Sequence, residues 1–70
     1  MRDDTIRPEE LQALSAWLSH PGRLREVAMG VVSGRWLVTL VENTEFAPTK
    51  WTCFAARLGD AVAGALGMAP

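Results

Sequence analysis

The chain has one histidine and one cysteine, and with Asp60 they are the residues that could form a nucleophile, a base and an orienting group. Cysteine catalysis needs a base within hydrogen-bond reach of Cys53 and a lowered thiol pKa. His20 stands before Pro21, a step typical of a helix end, and Cys53 stands beside Phe54, where a structural thiol is the commoner role. Because such triads are defined by geometry and not by composition, we predict no catalytic residue and no enzyme. A thiol-dependent activity at Cys53 is kept as an alternative.

Carboxylates near the start of the chain are candidate metal ligands, namely Asp3, Asp4, Glu9 and Glu10. Hard cations need several oxygens that converge from a shaped loop. These four carboxylates lie in a predicted arm and in the first turn of a predicted helix, where acidic residues interact favourably with the helix dipole. A lone cysteine and a lone histidine cannot form a structural zinc site, and the glycines follow no G-x-G phosphate pattern. We therefore predict no metal and no cofactor.

Basic residues give a further alternative, a weak nucleic-acid-binding surface made of Arg23, Arg35, Lys50 and Arg57. The formal net charge of −1, from 7 basic and 8 acidic residues, is not the electrostatic footprint of a nucleic-acid-binding domain. The predicted order of helix, hairpin and helix shares its outer elements with double-stranded-RNA-binding domains, which add a third strand and a lysine-rich start to the last helix. The sequence indicates neither feature, so we infer no membership in that family, and nucleic acid is not the expected partner.

The stretch 24–42 should organise the fold as a β-hairpin, because two apolar runs meet at Ser33 and Gly34. A two-residue loop at this point pairs Val32 with Arg35, and Gly34 supplies the positive φ that tight hairpin turns need. In the register that follows from antiparallel geometry, one set of side chains forms a wholly apolar face. A pair of opposite charges lies at the end of this face that is farthest from the turn. The apolar members are Val27, Met29, Val31, Trp36, Val38 and Leu40, and the charge pair is Arg25 with Glu42. A one-residue slip would mix the faces, although a three-residue loop with a bulge is an alternative.

The first helix is predicted over 8–19, after an arm at 1–6 that we expect to be mobile. Pro8 suits a first turn, and Thr5 and Arg7 are equivalent candidates for the N-cap residue. Leucines recur on one face at helical spacing, and the sequence His20-Pro21-Gly22 ends the helix.

A second helix is predicted over 49–66, after a polar loop in which a short strand at 45–46 is a minor alternative. Large apolar residues follow the helical period in this stretch: Trp51, Phe54, Leu58, Val62, Ala65 and Leu66. Beside them Ala55, Gly59, Ala63 and Gly67 recur every four residues, a stripe that would let another backbone approach closely. The last residues, 67–70, are predicted to be a tail.

These elements predict one α+β domain over 1–70, in the order α-β-β-α, with the hairpin packed on two helices. A core in a domain this small rarely supplies more than about 3–5 kcal/mol, and one cysteine cannot form an intramolecular disulfide. We therefore expect self-association or a protein partner to supplement the core. A homodimer that joins two hairpins edge to edge would have a four-stranded sheet and fewer unpaired edges.

The second face of the hairpin is too apolar for a fully solvated surface, because Ala28, Gly30, Leu37 and Val41 lie on it. Three tryptophans are also many for 70 residues, and tryptophan is enriched at interfaces. The predicted interface residues are Gly30, Leu37, Val41, Phe46, Trp36 and Trp51. The expected function is a non-catalytic protein-binding module, a small accessory, regulator or inhibitor protein. With no apolar signal region and no long apolar run, a reducing cytoplasm is the expected compartment.

Overall fold

The computed structural model describes residues 2–70, so Met1 of the predicted arm lies outside the described residues. The elements are α1 (Pro8–Leu18), β1 (Leu24–Val32), β2 (Arg35–Asn43), β3 (Thr49–Ala55) and α2 (Leu58–Met68). The strands form one antiparallel sheet in the order β1-β2-β3, and both helices pack on the same side of it. The α+β class is confirmed, with one strand more than predicted. Among residues 2–70, no helix combines the length and the apolar composition that crossing a membrane requires.

The predicted hairpin is confirmed, with every pair in the predicted register from Arg25 opposite Glu42 to Val32 opposite Arg35. Ser33 and Gly34 both have positive φ, 52° and 73°, which is the backbone of a type I′ turn. The twist of this turn matches the twist of the strands, so no bulge is needed to close the hairpin.

The second helix is where the prediction was wrong, because 49–55 form strand β3 and α2 begins only at Leu58. Trp51 and Phe54 fit a helical period, but they lie on opposite faces of the sheet, and Trp51 pairs with Leu40. Threonine, tryptophan and phenylalanine favour strands, and β3 satisfies an edge of β2 that would otherwise be unpaired. The minor alternative of a strand at 45–46 is also wrong, since these residues form a bend.

The same shift leaves the predicted small-residue stripe with one close contact, at Gly59, where a Cβ would meet Glu10 and Arg57. Ala55 is in the strand, Ala63 is exposed and a Cβ at Gly67 would meet nothing within 4 Å. The close approach of α2 to the sheet occurs at Gly64, the residue that follows Ala63. A Cβ there would overlap the Sγ of Cys53 on β3. Gly64 therefore sets how closely α2 lies on the sheet.

The core lies between the sheet and the helices, and its fully enclosed members are Leu14, Trp17, Val38, Leu40, Ala61, Val62 and Ala65. The hairpin face predicted to meet the helices does so at Val38 and Leu40, which are completely buried. Met29 and Val31 belong to the same face but stay 43% and 42% exposed. The helices therefore do not cover the part of β1 next to the turn.

The arm before α1 is anchored to the start of α2, which corrects the expected mobility for residues 2–6. The backbone N–H of Asp3 donates to the carbonyl of Ala56 at 2.8 Å, and the N–H of Leu58 donates to the carbonyl of Asp3 at 2.8 Å. The N–H of Gly59 adds a 2.9 Å bond to the carbonyl of Thr5. The bonds from Leu58 and Gly59 use donors at the start of α2 that have no partner within the helix.

A side-chain network ties the starts of the two helices together. The Arg57 guanidinium donates to both carboxylate oxygens of Glu10, at 3.0 and 2.6 Å, and to Asp60 at 2.7 Å. Glu10 also accepts the backbone N–H of Arg7, at 2.8 Å, and Arg7 is the N-cap residue of α1. Gly59 lies against this network, where a Cβ would collide with Glu10 and Arg57. The Arg57 bonds, followed by the Arg7 N–H, hold the pKa of Glu10 below its usual value.

Glu10→Gln should lower the midpoint of thermal unfolding at pH 7 by about 5–10 °C, because the guanidinium loses a two-pronged charged partner. A carboxylate whose pKa is lowered by folding stabilises the protein above its unfolded pKa of about 4.5, and this contribution is lost as the pH falls through the folded value. The variant should therefore show a shallower decline of the midpoint than the parent protein as the pH falls below about 4.5. Thermal unfolding followed by circular dichroism measures both effects.

Glu9→Gln is the matched control, since Glu9 is exposed in the same turn and is not part of the network. It should leave both the midpoint at pH 7 and the acid decline close to those of the parent. An acid decline in Glu10→Gln as steep as in the parent would contradict the role given to Glu10.

Candidate interaction face of the sheet

The side of the sheet that faces away from the helices carries no covering element within residues 2–70. We call it the open face. Its side chains alternate with those that meet the helices, as the pleat of the strands requires. They are Leu24, Glu26, Ala28, Gly30 and Val32 on β1, Arg35, Leu37, Thr39, Val41 and Asn43 on β2, and Lys50, Thr52 and Phe54 on β3.

An apolar row crosses the open face next to the turn, because Leu37 pairs with Gly30 on one side and with Phe54 on the other. Phe54 is exposed, and Val32 continues the apolar surface along β1. A Cβ at Gly30 would meet nothing within 4 Å, so this strand position leaves a shallow gap beside Leu37. The apolar row therefore presents an aliphatic and an aromatic side chain next to exposed backbone.

Polar and charged rows follow the apolar row along the strands. The Oγ1 atoms of Thr39 and Thr52 are hydrogen-bonded at 3.1 Å in the next row. In the row after that, Val41 lies between Glu26 and Lys50. Asn43 donates from Nδ2 to Glu26 at 3.3 Å. The open face thus has an apolar end near the turn and a charged end that surrounds Val41.

The predicted interface residues Gly30, Leu37 and Val41 all lie on the open face and are partly exposed. Phe54 belongs with them, although it falls within the helix predicted over 49–66. The alternation of Lys50, Thr52 and Phe54 with residues that face the helices is the sequence signal that would have placed it there.

The other three predicted interface residues are not on the open face. Trp36 is on the helix side and donates from Nε1 to Asp4 at 3.1 Å. Trp51 packs on the same side, with its ring edge-on to Trp17 at a centroid distance of 6.1 Å. Phe46 is 93% exposed in the loop between β2 and β3, so it does not enter the core. The predicted set therefore divides between two faces and a loop.

The residues considered for catalysis occupy three different elements with other partners. The Nδ1 atom of His20 is 3.1 Å from the carbonyl oxygen of Pro21. Asp60 binds Arg57, and Cys53 packs against Gly64. Over residues 2–70, no cavity is found and no three or more histidine, cysteine or acidic side chains gather as metal ligands do.

The four basic residues considered for nucleic acid do not form one patch. Arg57 is held by Glu10, and Arg23 lies 3.6 Å from Glu42. Arg35 and Lys50 share the open face, but Lys50 pairs with Val41, six positions along β2 from Arg35 and thus about 20 Å away. The chain has a third strand, β3, but the first turn of α2 carries the acidic Asp60 where double-stranded-RNA-binding domains are rich in lysine.

Comparisons of the chain with protein-family models, with curated proteins and with solved structures gave no match. The inferences that follow therefore come from the geometry and chemistry of the residues described above.

Proposed function

We propose that this protein is a non-catalytic protein-binding module, a small accessory, regulator or inhibitor protein that covers a surface of its partner with the open face. The observation that carries the proposal is the uncovered apolar row, in which Leu37 lies between Gly30 and Phe54. Contiguous apolar surface with a polar rim is typical of protein interaction sites.

The chemistry of the open face also specifies the kind of partner surface. An apolar patch should meet Leu37 and Phe54, because exposed aromatic side chains at the centre of an interface carry much of its free energy. Glu26 and Lys50 at the far end provide charges of both signs, which select the orientation of the partner more than they add affinity. The proposal includes a reducing cytoplasmic location, supported by the single free cysteine.

Leu37→Glu is expected to abolish partner binding while the domain stays folded, because the new carboxylate lies on a face that no element of residues 2–70 covers. The protein and the variant are used as bait for affinity capture, and a protein retained only by the parent is then purified. Its dissociation constant, measured by calorimetry, should rise at least about 30-fold in Leu37→Glu.

Leu11→Glu is the matched control, since Leu11 is an exposed leucine on α1, on the other side of the molecule. It should bind the captured protein with the affinity of the parent. Equal binding by Leu37→Glu and the parent would show that the open face is not the interaction site, and circular dichroism verifies that both variants are folded.

A further inference from the structure

Strand β1 is an edge strand, and it exposes apolar side chains on both of its faces. Leu24 and Val32 are exposed on the open face, and Met29 and Val31 on the helix side. The six residues from Val27 to Val32 include no charged residue and no proline. Edge strands of monomeric proteins usually carry lysine, proline or a bulge, which prevent pairing with another chain.

The other edge strand differs in this respect. β3 has Lys50 near its start, and two exposed threonines, Thr49 and Thr52, follow the same edge. Of the two edges of the sheet, β1 is therefore the one suited to accept a further strand.

The hydrogen-bond pattern of β1 determines which backbone groups are available. In the type I′ turn, Val32 and Arg35 form the hydrogen-bonded pair that closes the hairpin, and such pairs alternate along the strands. Val31 and Met29 belong to the intervening pairs, so their N–H and C=O groups point away from β2. These outward groups are the sites at which another strand can bind.

We propose that the protein forms a homodimer in which β1 pairs antiparallel with β1 of a second copy, with Gly30 opposite Gly30. A two-fold axis perpendicular to the sheet keeps the helices of both copies on one side. It also pairs the N–H and C=O groups that point away from β2 in one copy with the same groups in the other copy. Met29 of each copy then pairs with Val31 of the other copy, which makes about four hydrogen bonds between the chains.

The choice of this register follows from side-chain chemistry. With the helix sides aligned, the two-fold axis can pass through Ala28, Met29 or Gly30. Ala28 at the axis gives the longest pairing, but it would place the charged Arg25 opposite Val31 and Glu26 opposite Gly30. Met29 at the axis would place Glu26 opposite the apolar Val32. Gly30 at the axis pairs only uncharged residues, Ala28 with Val32 and Met29 with Val31, and buries the exposed apolar side chains of this end of β1.

Charge complementarity supports the same register. In the dimer, Glu26 of one copy and Arg35 of the other lie on the same face, with their Cα atoms about 12 Å apart, within reach of their side chains. Arg35 forms no salt bridge within residues 2–70, so its guanidinium is available. Because the dimer is symmetric, the contact between Glu26 and Arg35 occurs twice. The net charge of −1 per chain opposes association only weakly.

The dimer goes beyond the proposed function and does not depend on it, because the sheet grows through its edge. Both open faces lie on the same side of the joined six-stranded sheet and stay accessible to a partner. An interface of this size belongs to the small, weak class, so the dissociation constant should be micromolar.

Light scattering over about 5–500 μM should show the molar mass of the parent protein rising from one chain toward two. Val31→Lys, which places a lysine on the pairing edge, should weaken association at least about 30-fold. Thr52→Lys on β3 is the matched control and should associate like the parent. Leu37→Glu should also dimerise like the parent, which separates this dimer from one that stacks open faces and from the partner-binding proposal.

Charge reversal tests the register. Glu26→Lys and Arg35→Glu should each weaken the dimer about tenfold, and the double variant should return to within about threefold of the parent. Failure of the double variant to recover would overturn the Gly30 register. A parent protein that stays monomeric at the highest concentration, dimers that survive Val31→Lys, or dimers lost in Leu37→Glu would overturn the edge-paired homodimer.

Discussion

Replacing Glu42 with alanine is expected to remove about 3–5 kcal/mol of folding free energy, because it leaves the Arg25 guanidinium buried without its counter-charge. Only 6% of the Arg25 side chain and 11% of the Glu42 side chain are exposed, and the Nε–Oε1 distance is 2.9 Å. Arg25 also donates to the carbonyl of Trp17 at 3.0 Å and lies 4.5 Å from the centroid of its ring. A 70-residue domain has about 4–10 kcal/mol of stability in total, so Glu42→Ala should be largely unfolded at moderate urea concentrations.

Two further variants separate the charge from the packing. Arg23→Gln removes the outer partner of Glu42, at 3.6 Å and with 54% of its side chain exposed, and should cost less than about 1 kcal/mol. The double variant Arg25→Met/Glu42→Leu replaces the buried pair with apolar side chains and should recover most of the lost stability. Urea unfolding at equilibrium measures all three. A double variant as unstable as Glu42→Ala would show that shape, and not an uncompensated charge, sets the requirement for this pair.

The effect of Gly64→Ala on the free energy of unfolding is expected to depend on the residue at position 53, and to change sign when the cysteine there is replaced by alanine. In the parent protein the new Cβ would overlap the Cys53 Sγ, so the substitution should destabilise by about 1–2 kcal/mol despite the better helix propensity of alanine. In a Cys53→Ala background the sulfur is absent and the remaining contact, 3.4 Å to the Cβ at position 53, is ordinary. There Gly64→Ala should stabilise by about 0.5–1 kcal/mol.

A double-mutant cycle on the free energy of unfolding measures the coupling between the two positions. Gly67→Ala is the matched control in the same helix, because a Cβ there would meet nothing within 4 Å. It should stabilise the protein in both backgrounds. The same effect of Gly64→Ala with cysteine and with alanine at position 53 would mean that α2 moves freely enough to absorb the new methyl group.

The hairpin could be predicted in full because two local signals agree, the alternation of side chains and the turn residues Ser33 and Gly34. β3 could not be recognised by the same route, since the spacing of Trp51, Phe54 and Leu58 fits a helix equally well. The alternation in 50–55 competes with that pattern, and the sheet edge of β2, which decides between them, is a tertiary feature.

The candidate interaction face could also be predicted only in part, from the hairpin and not from β3. The hairpin register alone predicts Gly30, Leu37 and Val41 on one face, and no element within residues 2–70 covers that face. Phe54 was missed because it lies on the misassigned strand. The exposure of Met29 depends on where α1 and α2 cross the sheet, which no periodicity along the chain specifies.

The backbone bonds that join Asp3 and Thr5 to the start of α2 constrain the order in which the domain can be completed. The hairpin contacts are local and can form as soon as its own residues are present, whereas Asp3 bridges to Arg57, far along the chain. At a synthesis rate of about 5–20 residues per second, Arg57 is added to the chain about 3–10 s after Asp3. Docking of the arm is thus a late event, as is the Glu10–Arg57 contact that joins α1 to the start of α2.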